Sequence, residues 1–211
     1  LEDTNVLGIE KEGDLFVIET EKITLEAKNV IWAAGEYQYP SLNLFDGSEH
    51  CRHTSSVAKY GDLEGDDFLI IGGYESGIDA AYHLAKCGKK VRVFDMNGPW
   101  ASESSDPSIA LSTFSFERME HPSFGENVEL FAETTIQSVT FEDGVYEVKT
   151  QDGTTFQSNA QPLLASGFDG SHKFVSHLFE EREDGFPSLT ERDESTILTG
   201  MFHCGPSVRH D

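Results

Sequence analysis

The residues best suited to chemistry lie in one run, Ile70-Ile71-Gly72-Gly73-Tyr74-Glu75-Ser76-Gly77-Ile78-Asp79-Ala80-Ala81. A continuous apolar stretch, Phe68-Leu69-Ile70-Ile71, stops at glycine and passes into a segment whose Ile78, Ala81, Tyr82 and Ala85 recur at helical spacing. A strand that turns tightly into a helix leaves the first helical N–H groups unpaired at the positive end of the helix dipole, which suits a pyrophosphate. In the dinucleotide fingerprint the first glycine makes the turn, the second admits the phosphates, and the third lets helix and strand approach. Gly72 and Gly77 fill the first and third positions. Tyr74 fills the second, where a side chain either crowds the pyrophosphate or imposes a different loop. Asp95 follows the next apolar run, Val91-Arg92-Val93-Phe94, where a carboxylate holds adenosine ribose hydroxyls and repels a 2′-phosphate. No Arg follows it directly, which favours NADH over NADPH; Arg118 is the distant base that would reverse the preference. The candidate nucleotide contacts are therefore Gly72, Gly73, Tyr74, Glu75, Ser76, Gly77 and Asp95.

Other constellations fail on spacing. Gly73-Tyr74-Glu75-Ser76-Gly77 sits at a strand–helix turn, but a hydrolase elbow reads G-x-S-x-G and Ser76 is one place late. Ser56-Val57-Ala58-Lys59 matches S-x-x-K without its companion motifs. His50-Cys51-Arg52-His53 are neighbours too close to converge on one metal ion and read as a loop or domain interface. Glu75 and Asp79 fit a helix-dipole pair better than an acid–base couple. No catalytic side chain and no metal is expected. Cys51, Cys87 and Cys204 are scattered and form no C-x-x-C pair, so neither a disulfide framework nor a redox-disulfide relay is expected, and a reducing cytoplasm is the default.

The elements that must position these residues fall into zones. Residues 1–35 read as a β-meander of Leu15–Ile18, Ile23–Leu25 and Val30-Ile31-Trp32-Ala33-Ala34-Gly35. Residues 36–66, broken by Pro40, Asp46-Gly47 and Gly61, read as a connector. From 67 the pattern is strand, helix (76–87, with Gly88 as its cap) and strand, a parallel unit with a right-handed crossover. Strands follow at Val128–Phe131, Ile136–Phe141, Val145–Thr150, Thr154–Phe156 and Pro162–Ala165, the middle three forming hairpins at Glu142-Asp143-Gly144 and Gln151-Asp152-Gly153. Beyond 166 the chain is polar, with one strand-like stretch at 197–199, and ends at Arg209-His210-Asp211 with no closing element. Val30–Gly35 and Pro162–Gly167 resemble each other: each is an apolar run ending in two small residues and glycine.

The charge excludes whole classes of partner. There are 38 acidic and 15 basic residues among 211, a net −23, which repels nucleic acid and anionic membranes. No apolar run approaches the ~18 residues of a membrane span. Leu1-Glu2-Asp3-Thr4 resembles neither a signal nor a transit peptide.

The run Gly72–Ala81 resembles the second nucleotide-binding loop of flavin-containing monooxygenase-like and thioredoxin-reductase-like flavoproteins, which carry G-G-x-x-S-G/A-x-[DE]-A-A. Matching pieces surround it in matching order. Val30–Gly35 followed by Pro40 resembles the strand end at which that family's chain leaves its flavin domain. Ala165-Ser166-Gly167-Phe168-Asp169 resembles the end at which it returns, and Met201-Phe202-His203-Cys204-Gly205-Pro206-Ser207 the segment before the last flavin contacts. His53, after Phe45-Asp46-Gly47, loosely resembles the monooxygenase linker motif, with altered spacing. The resemblance implies an α/β chain: a Rossmann-like dinucleotide-binding domain with an inserted β-meander, flanked by pieces of an FAD-binding domain. It implies a flavin-domain remnant and connector over 1–49, the NAD(P)-binding domain over 50–165 and a return segment over 166–211. It adds Ala34, Gly35, Ser166 and Gly167 to the cofactor contacts. The first, flavin-binding glycine fingerprint is absent from these residues, so the expectation is part of a longer FAD-dependent, monooxygenase-like NAD(P)H oxidoreductase, incomplete alone, whose partners are a nicotinamide cofactor and the rest of the flavin domain. Two alternatives stand: an interaction domain that has lost nucleotide binding, and a disulfide reductase lacking a C-x-x-C relay.

Overall fold

The computed structural model describes residues 1–106, 109–205 and 208. Val6–Glu12 (β1), Leu15–Thr20 (β2) and Thr24–Ala27 (β3) form an antiparallel meander. This corrects the sequence expectation twice. The meander starts one strand earlier, because Val6–Glu12 buries only Ile9 and so lacks the apolar density that marks a strand. The run at Val30 is not its third strand: Val30–Trp32 (β4) pairs in parallel with Met201–His203. Trp32 is buried and donates its indole N–H to Ser171 Oγ at 3.1 Å, a partner far along the chain that no local pattern reveals.

The connector holds Arg52–His53 (β5), too short for any periodicity. Asp67–Ile71 (β6), the helix Glu75–Lys86 (α1) and Lys90–Phe94 (β7) follow as expected. Two helices were not foreseen, Thr113–Met119 (α2) and Pro122–Asn127 (α3). Each spans two turns or fewer, too few for an amphipathic repeat. Their starts are nevertheless capped: Ser112 Oγ accepts from Ser115 N–H, and Pro122 opens α3. Val128–Phe131 (β8) precedes the hairpins of Ile136–Glu142 (β9), Val145–Thr150 (β10) and Thr155–Ser158 (β11), and Leu163–Leu164 (β12) closes the series.

The main sheet is entirely parallel, in the order β5-β12-β6-β7-β8. Alternation within β6 decides its two faces. Phe68 and Ile70 join Ile78, Leu84 and Phe124 on the helical side, while Leu69 and Ile71 join Val139, Val148 and Phe94 on the side of the β9–β11 meander. Coverage on both faces explains the uninterrupted apolar run. α1 ends where Gly88, at φ 76°, donates to Ala85 O and Lys89 donates back to Leu84 O.

Ser171–Leu178 forms tight 3-10 turns, followed by the pair Glu180–Glu181 (β13) and Pro187–Ser188 (β14) and by Met201–His203 (β15). The late strand thus lies at β15 rather than at 197–199: Met201 is fully buried, whereas Ile197 is exposed. Residues 206–207 and 209–211, the ends of two sequence readings, lie outside the described residues. The chain divides into two compact units, Leu1–Tyr39 with Phe168–Asp211, and Pro40–Gly167. Residues 40–49 of the connector therefore belong to the second unit. Among the described residues no helix is long and apolar enough to cross a membrane.

Candidate functional site

Within the second unit the sheet runs outward from β6 in both directions, to β7 and β8 on one side and to β12 and β5 on the other. A cleft of about 510 Å³ opens at this switch, at the carboxyl ends of β6, β7 and β12, where Ile71, Phe94 and Leu164 form its apolar floor. The glycine loop and the start of α1 stand at its edge.

Each glycine there is required by the chain's own packing. Gly72, at φ 101°, donates its N–H to Phe94 O at 2.8 Å, and a Cβ on it would lie 2.4 Å from Ala165 O. A Cβ on Gly73 would lie 2.3 Å from the Trp100 ring and 2.9 Å from Asp95 Cβ. On Gly77 it would lie 1.9 Å from Gly72 O, the close helix–strand approach expected of the third glycine. Gly77 and Ile78 both donate to Tyr74 O, so the N–H groups of Glu75 and Ser76 are those left without an intrahelical acceptor. Ser76 is exposed and lines the cleft.

Tyr74 also lines the cleft, but its hydroxyl is tied down, donating to Ala110 O at 3.1 Å while the ring packs against the helical-side core. Glu75 is a cross-brace. Its carboxylate accepts from Ser112 N–H at 2.5 Å, Ser112 Oγ at 2.9 Å and Ser115 Oγ at 2.6 Å, joining α1 to the start of α2. Burial pushes its pKa up, but the Ser115 and Ser112 bonds together with Arg118 outweigh this and hold it below the usual carboxylate value. Asp79 pairs with Arg118 at 2.9 Å, so the base singled out as a possible phosphate partner is engaged on the helical side.

Asp95 lines the cleft, and its carboxylate is bonded to backbone. Oδ2 accepts from Gly73 N–H at 2.7 Å, and Oδ1 accepts from Asn97 N–H at 2.8 Å and Gly98 N–H at 2.9 Å. On the opposite wall Ser166 Oγ donates to Ser41 O. Gly167, at φ 76°, accepts through its carbonyl from Ser41 N–H at 3.1 Å and from His53 Nε2 at 3.0 Å. Because Ser55 N–H donates to His53 Nδ1 at 3.2 Å, Nε2 carries the proton of a neutral ring. Burial lowers the His53 pKa, and the bond to Gly167 offsets only part of that.

Gly72, Tyr74, Ser76, Asp95, Ser166 and Gly167 thus meet in one cleft, with Gly73, Glu75 and Gly77 behind it. Ala34 and Gly35 belong to the other unit, where Ala34 O accepts from Gln38 Nε2 at 2.9 Å and Gly35 has φ 69°. The resemblance between Val30–Gly35 and Pro162–Gly167 has a structural counterpart, since each contains a parallel strand followed by a positive-φ glycine. Sequence reasoning missed Trp100, Ser112 and Ser115. The spacing of Ser112 and Ser115 was the available signal, a capping serine three residues before its donor. Burial, with Glu49 beside it, pushes the Cys51 pKa up to about 12, whereas Cys87 and Cys204 are exposed. No disulfide and no metal-competent cluster occurs among the described residues.

A family model described as pyridine nucleotide-disulphide oxidoreductase matches residues 1–205. The bacilliredoxin reductase Bdr of Bacillus subtilis (strain 168) is 27% identical over 203 residues, 92% of this chain and 58% of that protein. The fold is similar to that of the bacillithiol disulfide reductase Bdr of Staphylococcus aureus (TM-score 0.74, 19% identity, 95% of this chain and 60% of that one). It is equally similar to Lactococcus lactis thioredoxin reductase (TM-score 0.74, 19% identity, 98% and 66%). The chain spans 58% of the Bacillus subtilis relative's length.

Proposed function

The chain belongs to the pyridine nucleotide-disulphide oxidoreductase family, and from that premise we propose that the unit Pro40–Gly167 binds NAD(P)H within a longer FAD-dependent oxidoreductase. The observation that carries the reading is the glycine loop and α1 N-terminus standing at the edge of a cleft at the sheet's switch point. The residues present fit a dinucleotide. Gly73 N–H is bonded to Asp95, Tyr74 is anchored on Ala110, and the N–H groups of Glu75 and Ser76 lack an intrahelical acceptor and suit a pyrophosphate. Ile71, Phe94 and Leu164 offer an apolar floor, and Ser166 and Gly167 the far wall. When bound, the nicotinamide nucleotide would supply hydride chemistry toward FAD, and the glycine loop and the cleft walls would hold and orient it. Residues 1–39 and 168–211, including Ala34 and Gly35, belong to the FAD-binding side.

NADH is the preferred nucleotide in this reading. None of the described residues lining the cleft is Lys or Arg, so a 2′-phosphate would meet Asp95 without a counterion. A disulfide is favoured as terminal acceptor over the oxygen chemistry of a monooxygenase. The support is the family description together with a relative named for disulfide reduction. The sequence holds no C-x-x-C pair, and burial with Glu49 nearby pushes the Cys51 pKa up to about 12, which supports a relay that does not use Cys51. Calorimetric titration of the chain with NADH and NADPH at one ionic strength tests the nucleotide assignment. Binding of NADH at least about tenfold tighter is expected; no binding of either would favour the interaction-domain alternative.

A further inference from the structure

Resting on that nucleotide-binding reading, we propose that Asp95 is a positioning residue that holds the glycine loop rather than the acceptor of the adenosine ribose hydroxyl pair. An ionised carboxylate offers about four lone-pair directions. Three are taken, by the N–H groups of Gly73, Asn97 and Gly98 at 2.7, 2.8 and 2.9 Å. Two ribose hydroxyls cannot both be accepted without displacing a backbone donor. Gly73 and Gly98 are buried, so their displaced N–H groups would find no water. The packing agrees, since Asp95 Cβ lies where Gly73 has no room for a side chain. The backbone of Asp95 is equally committed, donating to Phe131 O at 3.0 Å and accepting from Thr134 N–H at 2.9 Å. One residue thus joins β7, the strand end at Phe131, the turn at 97–98 and the loop that faces the pyrophosphate.

Amide exchange in the nucleotide-free chain reads these bonds directly. In Asp95→Asn the carboxamide must turn its NH₂ toward at least one of the three donors. Exchange at Gly73 or at Gly98, according to which oxygen the carboxamide keeps, is expected to rise about tenfold or more, and unchanged exchange at both overturns the proposal. Binding then separates positioning from ribose contact. NADH and its 2′-deoxyadenosine analogue are titrated into the unmodified chain and into Asp95→Asn. Both should weaken by the same factor, within about twofold, because both depend on the loop. Disappearance in the variant of a penalty for the missing hydroxyl overturns the proposal. Should Asp95→Asn fail to fold, the unmodified chain decides: retained protection of Gly73 and Gly98 at saturating NADH supports the assignment, and faster exchange on binding overturns it. A chain that binds no NADH refutes the nucleotide reading, while exchange at Gly73 and Gly98 in Asp95→Asn still tests this one.

Discussion

Replacing Gly77 by alanine probes the joint between α1 and β6. The added Cβ would lie 1.9 Å from Gly72 O and 2.9 Å from Gly72 C, both backbone atoms that no rotamer change can move. Restoring even a 3.0 Å separation requires about 1.1 Å of relative movement. α1 carries fully buried Ile78, Ala80, Ala81 and Leu84, so that movement disturbs close-packed core. Overpacking of this kind costs about 1–3 kcal/mol, and the backbone-on-backbone clash places it toward the upper end. For a chain of this size the thermal midpoint should fall by roughly 4–10 °C. Because the N–H groups of Glu75 and Ser76 move with the helix, NADH affinity should fall about tenfold or more. Gly88→Ala is the control. Gly88 lies at positive φ (76°), unlike the helical Gly77, but nothing lies within 4 Å of its added Cβ, so the expected effect is a stability loss of about 1 kcal/mol with NADH binding unchanged. The measurements are a thermal melt and a calorimetric titration of each variant. A Gly77→Ala chain that melts and binds like the unmodified one would refute the close approach and its role in placing the helix terminus.

Glu75→Gln should destabilise the chain by about 1.5–3 kcal/mol near neutral pH, because charge-assisted bonds to Ser112 and Ser115 lose their charge. The folded-state pKa is depressed, so this contribution is complete above the ordinary value of 4.5 and is lost as pH falls through the folded pKa; denaturant melts of the two forms should converge in acid. His53 and His203 both have pKa values lowered chiefly by burial, with His172 adding to the effect at His203. Their neutral forms stabilise the fold above 6.5, and stability should decline as pH falls below it; His53→Gln should remove part of that slope in melts between pH 7.5 and 5.5. Iodoacetamide at pH 8 should modify Cys87 and Cys204 in the folded chain well before the partly buried Cys51, read by mass spectrometry. Labelling of Cys51 as fast as that of Cys87 would contradict its raised pKa.

The core of the second unit was legible from local pattern alone. An apolar run meeting Gly72, a helical repeat and a second apolar run specify β6, α1 and β7 almost to the residue, because local periodicity and turn chemistry act over a few residues. The β9–β11 meander was legible for the same reason, its turns marked by Asp143-Gly144 and Asp152-Gly153. What escaped depended on partners far along the chain. Val30–Trp32 has the composition of any buried strand, and only its pairing with Met201–His203 removes it from the meander. Arg52–His53 is a strand solely because Leu163–Leu164 lies beside it. At the site, residue types and positions were readable but roles were not. Asp95 stands at the ribose position by spacing, yet its oxygens are directed to Gly73, Asn97 and Gly98. Tyr74, read as crowding the pyrophosphate or imposing a different loop, lines the cleft with its hydroxyl bonded to Ala110 O, a partner that spacing does not reveal. A hydrogen bond is won by whichever donor the tertiary fold brings within 3 Å in the right direction, and sequence spacing alone carries no information about that competition.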